Sequence, residues 1–127
     1  MAEGVTERKG QGGSMFVVAV GWLQKVDNNE RISKSGDNYF SMLLEVSEIN
    51  EISNVGGDNS LRNFFVQSPV RLIFWRNQFD EEVYNLIANF KVGQNLTVRG
   101  RLRQDPQFST AMISVKEVET SSELFIT

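Results

Sequence analysis

Apolar and polar positions alternate in five stretches of the chain, and in one place the period lengthens from two to about 3.6. The first stretch, MFVVAVGWLQKV from Met15, is dense in β-branched and aromatic residues and predicts a largely buried strand. Gly21 interrupts it, which predicts a bulge or sharp bend of the kind small barrels use to close. The second, NYFSMLLEVSEI, puts Phe40, Met42, Leu44 and Val46 on one face and Tyr39, Ser41, Leu43 and Glu45 on the other. The third covers roughly residues 64–75 and points Val70, Leu72 and Phe74 one way, Arg71, Ile73 and Trp75 the other. Pro69 has no amide donor, so it belongs at an edge, at a bulge or at the strand's start.

The period changes in NQFDEEVYNLIANFKVG. Phe79, Val83, Leu86, Ile87 and Phe90 form one helical stripe, with Asp80, Glu81 and Glu82 suited to its first turn and Gly93 to its exit. The fourth stretch, NLTVRGRLRQ, turns Leu96, Val98 and Leu102 toward the core with Gly100 between them. Thr97, Arg99, Arg101 and Arg103 share its opposite face. A turn, DPQFS, carries Phe108 and leads to the fifth stretch, TAMISVKEV. DNNERISKSGDN reads as a polar connection and NEISNVGGDNS as a loop. Residues 1–14 read as a flexible arm, which leaves 15–127 as one domain. The predicted order is β-β-β-α-β-β, an all-β fold whose one helix stands between the third and fourth strands.

Composition narrows the chemistry. With no cysteine and no histidine, disulfides, thiolate chemistry, the commonest general base and the usual zinc ligands are all excluded. No paired-carboxylate geometry is legible, so the expectation is a protein without catalysis, metal or cofactor. The start has no apolar signal segment and no run is long enough to span a membrane, which predicts a cytoplasmic protein. Net charge is −3, but it is unevenly spread. Residues 61–103 carry seven basic and three acidic side chains, whereas residues 27–60 carry two basic and seven acidic. A folded sheet could gather the basic middle onto one face.

Arg71, Ile73 and Trp75 alternate on one side of the third strand, with Arg76 next in line and the arginines of the fourth strand as neighbours if the two share a face. Alternating large apolar and cationic side chains make a poor core and a good platform for a flat, anionic ligand. The plainer reading, a solvated sheet face, stays open from the pattern alone.

VAVGWLQKV and FSMLLEVSE resemble the first two strands of bacterial single-stranded DNA-binding proteins, and LIFWRNQFDEEVYNLIANFKVGQNLTVRGRLR resembles their most characteristic segment. The resemblance covers about residues 15–125 and is specific over 73–103. It implies a five-stranded oligonucleotide-binding barrel. It also implies non-catalytic, largely sequence-independent binding of single-stranded DNA during replication, recombination or repair, with RNA as the other candidate ligand. Bases would stack on sheet aromatics while basic residues track phosphates.

Under that resemblance Trp75 falls on the family's stacking aromatic, and Arg99 and Arg101 fall on the face of the fourth strand. Trp22 follows the first strand's glycine and reads equally as packing. Tyr39, Arg71, Ile73, Arg76, Arg103 and Phe108 complete the candidate set. A second family aromatic is replaced here by Pro69, with Phe64 and Phe65 adjoining, and the hairpin QDPQFST is short. The family's acidic-tipped recruiting tail is missing, so recruitment of partner enzymes is not implied and a phage, plasmid or other mobile element is a fitting context. The resemblance further implies a homo-oligomer, dimer or tetramer, associated with the nucleoid. The alternative is a protein-interaction or primosome-type accessory module on the same fold.

Overall fold

Strict alternation gives each long strand one wet and one dry side, and a sheet with a single dry side can bury it by curling on itself. In the structure, a computed structural model, residues 14–55, 68–105 and 110–120 are described. The elements are β1 (Ser14–Val26), β2 (Arg31–Ile32), β3 (Asn38–Val55), β4 (Val70–Trp75), α1 (Glu81–Ile87), β5 (Asn95–Asp105) and β6 (Thr110–Thr120). The sheet runs β1-β5-β6-β4-β3, and β3 returns to pair with β1, so five strands form a closed ring. β4 and β6 are parallel, and the other pairs are antiparallel. This is the expected β-β-β-α-β-β order, with α1 between the third and fourth long strands.

The dry side holds Met15, Val17, Ala19, Leu23, Phe40, Met42, Leu44, Val70, Leu72, Phe74, Leu96, Val98, Leu102, Ile113 and Val115. Tyr84, Ile87 and Phe90 bring α1 and its exit onto the same cluster. Full burial of a side chain of this size contributes about 1.5–3 kcal/mol, so the plug is a large part of what holds the ring. Asp80 caps the helix, its carboxylate accepting from Val83 N at 2.9 Å. No helix among the described residues is long and apolar enough to cross a membrane.

Four readings of the pattern need correction. Leu86 is 61% exposed rather than part of the buried stripe. The helix has only two turns, and the pair Tyr84 and Ile87, three residues apart, sets its inner face. Residues 50–55, read as loop, belong to β3. This strand must change partner: residues 39–44 pair with β4 and residues 42–55 with β1, so it is long and its far end need not be apolar. Arg31–Ile32, inside the polar connection, is a short strand opposite Tyr39 and Asn38, closed by a turn with Gly36 at φ 93°. In the strand assigned from about residue 64, Ser68 and Pro69 form a bend and β4 begins at Val70; residues 64–67, with Phe64 and Phe65, lie outside the described residues.

Gly21 does mark a bulge, because the β1–β3 register shifts between Val20 and Gly21. Gly100 stands at the matching shift of the β5–β6 pair. A Cβ on Gly21 would overlap the Glu45 carbonyl oxygen, and one on Gly100 the Ser114 carbonyl oxygen. Gly21→Ala and Gly100→Ala are therefore expected to destabilise the fold by about 1–3 kcal/mol each, measured by urea denaturation, since the obstacle is backbone. Wild-type midpoints for both would refute the close approach.

Candidate nucleic-acid interface

Register turns parity into neighbourhood. Tyr39 is opposite Trp75, Ser41 opposite Ile73 and Leu43 opposite Arg71 across β3–β4. The parallel pair sets Met112 beside Arg71 and Ser114 beside Ile73, and β5 adds Arg103 beside Met112. All these residues occupy outward positions of adjacent strands. The Tyr39 and Trp75 rings are 5.0 Å apart at 52°, and both are half-buried rather than sealed in the core. Trp75 Nε1 donates to Ser114 Oγ at 3.1 Å, and Arg71 Nη1 donates to Ser41 Oγ at 2.8 Å.

Two adjoining hollows, of about 560 and 380 Å³, share Ile73, Trp75 and Met112 as their floor. Lys25, Arg31 and Arg71 line the larger one and Arg103 the smaller. The acidic groups on the same walls are Asp27 and Asp37. Asp27 is held by Arg31, with Nη2 at 2.7 Å from Oδ2. Its carboxyl is lowered from the usual range first by the Asn29 backbone N–H and then by Arg31. That leaves Lys25, Arg71 and Arg103 as cations without an ion pair among the described residues. The groove is thus an open, aromatic-floored channel with net positive walls on an acidic protein.

Not every candidate residue is there. Tyr39, Arg71, Ile73, Trp75 and Arg103 come together. Arg76 instead lies over the Tyr84 ring at 5.5 Å, with Nη1 at 3.5 Å from Glu30 Oε2. Arg99 Nη1 is 3.9 Å from carboxylate oxygens of both Glu117 and Glu119 on β6. Arg101 covers the Phe16 ring at 5.6 Å, and its Nε is buried without a partner among the described residues. Trp22, 42% exposed, lines a separate hollow with Val20, Asn95 and Thr97 that shares no residue with the groove. Phe108 lies outside the described residues.

The pattern reading missed Lys25, Arg31, Ser41, Ser114 and Met112. Ser41, Met112 and Ser114 had the right parity but no charge or ring to draw notice. Arg31 depends on a two-residue strand that only pairing reveals. Among the described residues, no three acidic side chains are placed to share a metal ion.

Among solved structures, the chain is similar to the single-stranded DNA binding protein from Thermus aquaticus, with a TM-score of 0.53 and 19% identity over 87% of this chain and 42% of that one. It is also similar to the protein PriB from Ralstonia solanacearum, with a TM-score of 0.52 and 11% identity over 84% and 97% of the two chains. A third likeness is to SSBb, the second single-stranded DNA binding protein of Mycobacterium smegmatis, with a TM-score of 0.52 and 10% identity over 87% and 90%. This chain spans about two fifths of the Thermus protein's length and nearly all of the other two. No family model and no curated protein matches the sequence. At these identities the likeness is one of fold: the closed five-stranded ring is an oligonucleotide-binding fold.

The Glu30 cluster yields a pH dependence. Tyr84 Oη donates to Glu30 Oε2 at 2.7 Å, which is the first cause of the Glu30 carboxyl lying below its usual range, while burial and then Glu30 push the Tyr84 phenol up. A carboxyl lowered on folding adds stability that is complete above its unfolded value, about 4.3, and is lost as pH falls through the lower folded value. Tyr84→Phe is expected to flatten the acid limb of the stability–pH curve while leaving its slope near neutrality unchanged. Denaturation series at pH 3–7 read this, and an acid limb identical to wild type would refute the coupling.

Proposed function

We propose that the protein binds single-stranded nucleic acid, DNA in the first place, without catalysis and with little sequence preference. A strand would cross β3, β4 and β6, with bases on the Tyr39–Trp75 pair and phosphates on Lys25, Arg71 and Arg103. The observation that carries this reading is the half-exposed ring pair on the floor of a channel whose walls hold three cations without an ion pair among the described residues. Every base has a π-face, so such a floor is indifferent to sequence and contributes about 1–3 kcal/mol per stacked base. The fold likeness to single-stranded DNA binding proteins supports the same reading. The setting would be DNA replication, recombination or repair in the cytoplasm, the protein acting as a homo-oligomer that lengthens its footprint on a strand. The outward stripe of β1, from Phe16 through Val18 and Val20 to Trp22, is the contact we favour for that assembly.

A second reading, an accessory module that binds protein, is favoured by Arg76, Arg99 and Arg101, which are engaged within the molecule. Titration with oligo-dT separates the two. Salt-sensitive quenching of tryptophan fluorescence is expected, retained in Trp22→Phe and lost in Trp75→Phe. Trp75→Ala is expected to weaken binding by about 1–3 kcal/mol. Arg71→Ala and Arg103→Ala should each lower the slope of log K against log salt by about 0.7. Absence of binding at low salt would leave the accessory reading in possession.

A further inference from the structure

Ser41 and Ser114 flank Ile73 in one cross-strand row, Ser41 from β3 and Ser114 from β6. Each hydroxyl accepts one hydrogen bond, and each donor is a groove side chain: Arg71 Nη1 at 2.8 Å and Trp75 Nε1 at 3.1 Å. Neither serine fills the core, which lies on the other side of the sheet. Ser41 is nonetheless only 8% exposed, a polar residue buried on an outward face. A buried hydroxyl is tolerated where it has a partner, and here the partner is a cation that would otherwise swing in solvent.

The indole and the guanidinium gain most from being held. Trp75 has a single polar donor, and an indole at a strand end turns about two side-chain torsions; engaging its N–H fixes the ring plane. Arg71 loses its rotamer freedom during folding instead of during binding, which removes part of the ordering cost of association. The Arg71 and Trp75 anchors sit on opposite sides of Ile73, so one row sets both the stacking surface and the adjacent charge.

We propose that Ser41 and Ser114 are positioning residues of the groove, Ser114 orienting the Trp75 ring for a base and Ser41 orienting Arg71 for the neighbouring phosphate. The inference rests on the strand-binding reading above and divides the work of the site between two hydroxyls. Stacking is insensitive to salt and phosphate contact is not, so the two serines carry different signatures.

The test uses the full chain in a Trp22→Phe background, where Trp75 is the one remaining indole. Two quantities are measured: the Raman band that reports indole N–H hydrogen bonding in the unliganded protein, and oligo-dT affinity at a series of salt concentrations. Ser114→Ala and Ser114→Val are expected to move the band toward a free N–H. Both should weaken binding about fivefold at every salt, with the salt slope unchanged. Ser114→Thr keeps the hydroxyl and should restore both readouts; should the alanine variant fail to fold, the valine–threonine pair carries the comparison. Ser41→Ala is expected to leave the band in place and reduce the salt slope by about 0.7. Wild-type affinity in both Ser114→Ala and Ser114→Val, equal loss in Ser114→Thr, or an unchanged slope in Ser41→Ala would overturn the positioning role. Failure of the unsubstituted protein to bind dT overturns the strand-binding reading instead, and the indole band, read without ligand, keeps the two failures apart.

Discussion

The ring closes because β1 is hydrogen-bonded along both of its edges, to β3 on one side and β5 on the other. An open sheet of the same strands would leave two unsatisfied edges and a curved apolar face only partly covered. Closure requires β3 to hand over from β4 to β1 within one continuous strand, and it requires backbone to approach backbone at Gly21 and Gly100. Once that is achieved, alternation acquires a fixed meaning. Over residues 39–44 of β3, even positions go inside with Phe40, Met42 and Leu44, and odd positions present Tyr39, Ser41 and Leu43 on the outer wall. The groove follows from the same parity carried across β4 and β6.

Alternation was therefore enough to recover the five long strands, the helix after Trp75 and the faces of Phe40, Phe74 and Val98. Tyr39, Arg71, Ile73 and Trp75 share one outer face for the same reason, because paired strands bring residues of matching parity together. The rest was written in pairing, not in period. The far end of β3 is polar, since what it satisfies is a backbone ladder with β1, and Arg31–Ile32 is too short to show a pattern at all. Leu86 misled because an apolar residue at helical spacing is indistinguishable from a core residue until the helix's length is known.

The arginines make the same point in electrostatic terms. Arg76, Arg99 and Arg101 looked equivalent to Arg71 and Arg103 along the chain. Their fates differ through residues far away in sequence: Glu30 and the Tyr84 ring for Arg76, Glu117 and Glu119 for Arg99, the Phe16 ring for Arg101. The carboxylate pairs of Arg76 and Arg99 contribute little to stability, yet they offset positive charge where they stand, whereas the Phe16 ring covers Arg101 without neutralising it. In the channel, Lys25, Arg71 and Arg103 keep their charge without an ion pair among the described residues, which leaves a positively walled avenue on an acidic molecule.

The segment joining β1 to β3 supplies one wall of that avenue through Asp27, Arg31 and Ser33, and it is fastened to the helical plug on the opposite side of its own chain. Asn28 Nδ2 donates to the Ala88 carbonyl at 3.2 Å, and Glu30 receives the Tyr84 hydroxyl. The plug is thus also a brace. A lesion confined to α1, touching no residue of the channel, would release these two fastenings and let the rim sag and widen.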